Sequence, residues 1–180
     1  MMAADFYQRI TEMQGGVEDL IRKVPGVKEL LERSDLRAAD DLLRQQLASQ
    51  LEQQMTRFDS IKQQVMDAAG LEHMERVQTV DTKMRAFINR IEAAADGYAG
   101  VFGKVKVNSD ALERVYAFDN ALFLYVDQFA TGLTALEAAA NDSEGDIGSI
   151  LRQLNDLATE ANSVFSQRVE ALQGIQNDAV

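Results

Sequence analysis

Cysteine and tryptophan are absent from the chain, and proline and histidine each occur once. The missing cysteine excludes disulfides, thiolate nucleophiles and thiolate metal sites, and it leaves no mark of the redox compartment. The single proline is Pro25, so residues 26–180 run without one. That argues against a loop-rich or strand-and-turn architecture and suits uninterrupted helices. Basic residues are also in deficit, with 18 Lys and Arg against 29 Asp and Glu and a net charge of −11. Nucleic acid is therefore an unsuitable partner, since phosphate contacts need clustered Lys and Arg, and an anionic membrane surface is disfavoured for the same reason. No stretch approaches ~18 uninterrupted apolar residues, and Met1 to Met13 lacks the basic start and apolar run of an export signal, so a cytoplasmic location is expected.

What is present is one domain's worth of amphipathic helix. At 180 residues and 46% hydrophobic, the chain suffices for a single core, and residues 1–180 read as one helical-bundle domain. Punctuation at Pro25-Gly26, Gly70, Gly103 to Ser109 and Asn141 to Gly145 divides it into helical segments near 4–23, 35–69, 71–101, 110–141 and 146–176. A short piece falls at 27–33. Residues 1–26 form an N-terminal helix followed by a Pro-Gly hinge.

In the segment at 71–101, Val77, Val80, Met84, Phe87, Ile91, Ala94, Tyr98 and Val101 recur at three- and four-residue steps and share one face. The next segment repeats the rule with Leu112, Val115, Asp119, Leu122, Val126, Phe129, Leu133 and Leu136. The last does so from Ile147 through Leu154, Ala161, Arg168 and Leu172 to Ile175. These seven-residue periods and short connections predict an all-α, elongated, antiparallel up-and-down bundle of four long helices plus a weaker N-terminal helix. The segment at 35–69 is looser and glutamine-rich, and less tight packing is expected of it. A tight turn at Gly70 sets Val65 opposite Val77, Phe58 opposite Met84, Met55 opposite Phe87 and Leu51 opposite Ile91. The last hairpin sets Leu133 opposite Leu154 and Val126 opposite Ala161. The same register brings Asp119 opposite Arg168, two charges interrupting apolar stripes, and predicts a partly buried structural ion pair.

Catalytic and metal motifs fail on inventory. A di-iron carboxylate site in a helical bundle needs Glu-x-x-His pairs, but the only histidine is His73 and Gly70 stands three residues before it. The run Gly97 to Gly103 lacks the preceding strand and the Gly-Lys-Ser/Thr ending of a phosphate loop. Asp40-Asp41 and Glu18-Asp19 read as solvated or dipole-complementing acids near helix starts. No catalytic residue, metal or cofactor is expected, and the chain reads as a non-enzyme.

The segment at 110–141 is apolar beyond its seam, through Ala121-Leu122-Phe123-Leu124-Tyr125-Val126 with Tyr116, Phe118 and Phe129 close by. Such a helix must be covered on most sides. The cover is either the N-terminal helix, amphipathic through Phe6, Ile10, Met13, Val17, Leu20 and Ile21, or a partner reached when that helix swings about Pro25-Gly26. Phe6, Ile10, Met13, Phe118, Phe123, Leu124 and Tyr125 are the candidate interaction surface.

The combination of Pro25-Gly26, Ala39-Asp40-Asp41-Leu42-Leu43-Arg44, Gly97-Tyr98-Ala99-Gly100 and Tyr116-Ala117-Phe118-Asp119-Asn120-Ala121-Leu122 resembles a group of small bacterial all-helical proteins with no assigned function. The resemblance implies a bacterial source and transfers no site. The expectation is a non-enzymatic scaffold, adaptor or assembly subunit acting through a protein partner or self-association. The alternatives are a small-molecule or lipid site among Phe118, Phe123, Tyr125 and Met13, and a membrane-associated stress-type helix protein.

Overall fold

A computed structural model describes residues 17–33, 35–97 and 109–177. They form six α-helices: α1 (Val17–Lys23), α2 (Val27–Glu32), α3 (Leu36–Ala69), α4 (Met74–Gly97), α5 (Ser109–Ala140) and α6 (Ile147–Asn177). The described residues contain no strand. The four long helices make the antiparallel bundle that the periodicity implies, and each starts within a few residues of its expected position.

Local chemistry sets the ends. The Asp35 side chain accepts the Ala38 N–H at 3.2 Å to cap α3, and Asp146 accepts the Ser149 N–H at 2.8 Å to cap α6. Each satisfies a backbone donor that the first helical turn leaves free. In the α5–α6 turn, a Cβ on Gly145 would lie 2.3 Å from the Ala139 carbonyl oxygen, so only glycine lets the chain turn this close to the end of α5.

The two hairpins, α3–α4 and α5–α6, lie side by side. α3 packs on α4 and α5, and α6 packs on the same two helices. α3 runs in the same direction as α5: Phe58 meets Phe129 edge-on at 6.4 Å, and further along Asn141, just past the end of α5, donates to Gln64. α4 likewise runs beside α6, with Lys83 bonded to Asn155 and, one turn on, Phe87 edge-on to Phe165 at 6.0 Å. Edge-to-face rings add to the apolar burial that drives association of the hairpins.

The core follows the stripes. Val65, Val77, Phe58, Met84, Met55, Phe87, Leu51 and Ile91 are all buried, as are Leu133, Leu154, Val126 and Ala161. Along α3, Phe58, Ile61 and Val65 are wholly inaccessible, and the stripe stays buried back to Ala39.

At the N-terminal end, α1 packs on α5 and α2 on α3. Pro25-Gly26 forms the corner between them, with Gly26 at φ 89°. Val24 and Val27 flank the corner at 1% and 0% exposure.

Candidate functional site

The functionally suggestive chemistry gathers where the beginning of α3, the beginning of α5 and the end of α6 converge. Arg168 of α6 donates from Nε to Asp119 Oδ1 of α5 at 2.5 Å and from Nη2 to Asp119 Oδ2 at 3.1 Å. The same Nη2 donates to Asp40 Oδ1 of α3. Asp40 Oδ2 in turn accepts from Arg44 Nε at 2.9 Å, and Arg44 Nη2 donates to Asp41 Oδ1. The result is a chain of alternating charge, Asp119–Arg168–Asp40–Arg44–Asp41. It runs from inside the bundle to a half-exposed carboxylate at the surface.

Four members are taken out of water: Arg168 at 0%, Asp119 at 3%, Asp40 at 4% and Arg44 at 5% exposure. Burial pushes the Asp119 carboxyl above its ordinary range, against the charge and hydrogen bonds of Arg168 that favour the ion. Burial also disfavours the Arg168 cation, but the charges of Asp119 and Asp40 outweigh it and hold the guanidinium protonated. Arg168 Nη1 makes no hydrogen bond. Tyr116, buried nearby, has its phenol pushed up by desolvation and then by the Asp119 and Asp40 charges. Lys23 of α1 donates to Asn120 at 3.4 Å, which links α1 to the same end of α5.

Such a cluster can brace helices. A charge-paired guanidinium reaching two carboxylates on different helices fixes the relative heights of α3, α5 and α6, because a slip of one turn would strand a charge in the core. Arg168, Asp119 and Asp40 are closed off by the packed helices, while Arg44 and Asp41 line the groove between α3 and α4.

Asp119 and Arg168 thus come together as the hairpin register implies, and more deeply than a partly buried pair. The reading of Asp40-Asp41 as solvated, dipole-complementing acids is corrected for Asp40, which is buried between two guanidinium groups. A signal for it was in the sequence. Continued backwards from Leu51, the three- and four-residue steps of α3 fall on Leu47, Arg44 and Asp40.

The candidate interaction surface is redistributed. Phe118 and Phe123 are buried, at 6% and 2% exposure, in the same core as Leu20 of α1 and Val24 just after it. The extra apolar face of α5 is therefore closed by the chain itself over these residues. This removes Phe118 and Phe123 as an open docking face, because a side chain already packed has no apolar area left to bury. Leu124 and Tyr125 remain half-buried. Phe6, Ile10 and Met13 lie outside the described residues.

The hollows described are grooves along helix seams, and their linings do not include Phe118, Phe123 or Tyr125. One lies between α3 and α4, with Asp41, Arg44, Glu52 and Glu92 above Ile91. Another, of about 490 Å³, lies between α5 and α6, lined by Asp127, Gln128, Thr131, Gln153, Asp156, Leu157 and Glu160. Tyr125 donates to Glu160 at 3.2 Å on the rim of the latter. The described residues hold no group of three His, Cys, Asp or Glu suited to a metal ion, and His73 lies at the opposite end from the charge chain, before α4. No helix of the described residues is long and apolar enough to cross a membrane. Comparison with family models, curated proteins and solved structures finds no match for the chain.

Proposed function

We propose that the protein works by associating with other proteins, as a scaffold, adaptor or subunit of a cytoplasmic assembly, and not by catalysis. The observation that carries this reading is the buried charge chain. The side chains best equipped for chemistry, Arg168, Asp119, Asp40 and Arg44, are held inside the bundle and tie three helices together. The three helices tied in this way, of 34, 32 and 31 residues, are each about 46–51 Å long at 1.5 Å per residue. Their outer faces hold a fixed relation to one another, and preorganised faces lose less entropy when a partner binds. Among the described residues, a partner can reach the helix seams and the α3–α4 tip, where Met66 and Leu71 are exposed.

The test is photo-cross-linking in the cells that make the protein. A photoreactive residue is placed singly at Met66, Leu71, Leu124 or Leu157 in the full chain. At least one position is expected to yield a discrete adduct of defined mass. Only diffuse labelling from all four would overturn the association reading.

A further inference from the structure

The seams between the long helices differ in how their charges are used. On the α3/α4 seam, Asp59 and Asp81 are neutralised by Lys62 and Arg85. On the α3/α5 seam, Arg57 pairs with Glu137 at 2.8 Å. The α4/α6 seam is cationic, with Lys83 and Arg90 donating to Asn155, Thr159, Asn162 and Ser166. The α5/α6 seam has the opposite character. Asp127, Asp156 and Glu160 surround Leu157 in its groove, and none of the three makes an ion pair with a described residue. Arg152, one turn before Asp156 on the same helix, is no exception. Asp156 and Glu160 are also one turn apart, a like-charge spacing that costs a helix a few tenths of a kcal/mol.

We infer that this groove is the docking site for a basic amphipathic helix of a partner protein. The inference rests on the association reading above and assigns it a surface. Most of the groove's lining is carbon, so its occupant must bring an apolar side chain to cover Leu157. The rim is anionic, so the same occupant must bring cations on both sides of that side chain. A helix with an apolar residue flanked by Lys or Arg three and four positions away supplies both in about two turns. A second copy of this chain would set carboxylates against carboxylates at a net charge of −11. Nucleic acid and anionic lipid would meet the same repulsion.

The probe is a peptide of about 14 residues built from Leu and Lys in amphipathic order, ~21 Å long as a helix. A scrambled peptide of the same composition is the control. Both are titrated into isotope-labelled full-length protein by NMR. Shift changes are expected to concentrate at residues 127–131 and 153–160, with the amphipathic peptide binding more tightly than the scrambled one. Asp156→Lys with Glu160→Lys should weaken binding about tenfold or more. Glu75→Lys with Glu144→Lys, which changes net charge equally on exposed positions elsewhere, should change it less than about twofold. Thermal melts check that both variants fold. Shifts scattered over the surface, centred on another groove, or weakened equally by both double variants would overturn the assignment. Cross-links from Met66 or Leu71 with none from Leu124 or Leu157 would overturn it too, while leaving association standing.

Discussion

Two charge networks occupy the bundle, built from nearly the same residues in different surroundings. In one, Asp40, Asp119, Arg44 and Arg168 are buried, with only Asp41 reaching solvent. In the other, Asp59, Lys62, Asp81 and Arg85 cross the α3/α4 seam, with Lys62 Nζ at 2.7 Å from Asp81 and Arg85 Nε at 2.9 Å. The second network is half in water: the Asp59 and Arg85 side chains are 48% and 49% exposed. Pairing looks alike in both, yet Asp119 responds in the opposite direction to Asp59 and Asp81. Asp59 is lowered, chiefly by its hydrogen bond with Lys62. Desolvation of Asp81 is outweighed by hydrogen bonds from Lys62 and Arg85 and by their charges, so it too is lowered. Asp119 is raised because desolvation prevails over Arg168. The difference teaches that an ion pair's worth is set by how much water its members lose, and that a deep pair specifies geometry more than it adds stability.

The sharpest way to break the comparison is to unbalance the buried network. Arg168→Met leaves Asp40 and Asp119 sharing a core with one fewer cation, and the expected loss is ~3–5 kcal/mol by denaturant unfolding. Asp119→Ala should fall in the same range. Replacing Asp40, Asp119 and Arg168 together with apolar residues of similar volume should restore most of that stability, since Arg44 keeps Asp41. A loss under ~1 kcal/mol for Arg168→Met would mean the pair behaves like an exposed one and would sink the account.

Next in size is a variant in the apolar stretch of the α5–α6 hairpin. A Cβ on Gly132 would meet Leu154 Cδ2 at 2.6 Å, and Leu154 is fully buried. Gly132→Val should therefore destabilise by ~1–3 kcal/mol through overpacking, checked by chemical denaturation. An unchanged midpoint would show that this interface yields where it looks tight.

Smaller still is Arg85→Ala in the seam network. Its half-exposed guanidinium should contribute only ~0.2–1 kcal/mol, and less at high salt, whereas the salt response of Arg168→Met should be flat.

The smallest effect is in the acid limb. Asp59 and Asp81 have folded values below 3.8, so their contribution is fully present above about pH 4 and is lost as pH falls through those lower values. Asp119, raised in the fold, carries the opposite sign: its contribution favours the folded state at low pH and is lost as pH rises through its folded value. Asp81→Asn should flatten the fall in melting temperature below pH 4. A limb as steep as wild type would assign acid unfolding to other carboxyls.

Much of the architecture was legible in the residues. The steps through Val77, Met84 and Ile91 and through Leu122, Phe129 and Leu136 specify which side of each helix is buried, because 3.6 residues per turn admits no other side. The position of the α5–α6 turn set Asp119 opposite Arg168. Asp40 and Arg44 were harder to place, since charged residues near a helix start are ordinarily solvated and the breaks they make in the stripe look like its end. The ladder from Lys83 and Arg90 to α6 was also missed. It depends on which helices are neighbours, and periodicity within one helix carries no such information.

From the residues alone it follows that the described chain is helical, where α3 turns into α4 and α5 into α6, and which residues of each long helix face inward. These are local properties of spacing, capping and composition. Only the tertiary structure decided that α3 lies beside α5 and α4 beside α6, that Arg168 reaches Asp40 as well as Asp119, and that Phe118 and Phe123 are closed over within the chain while the α5/α6 groove carboxylates have no ion pair among the described residues. Those outcomes depend on which stripe meets which. Many pairings of amphipathic helices bury similar apolar area, and the one adopted also brings every buried charge among the described residues to an opposite one.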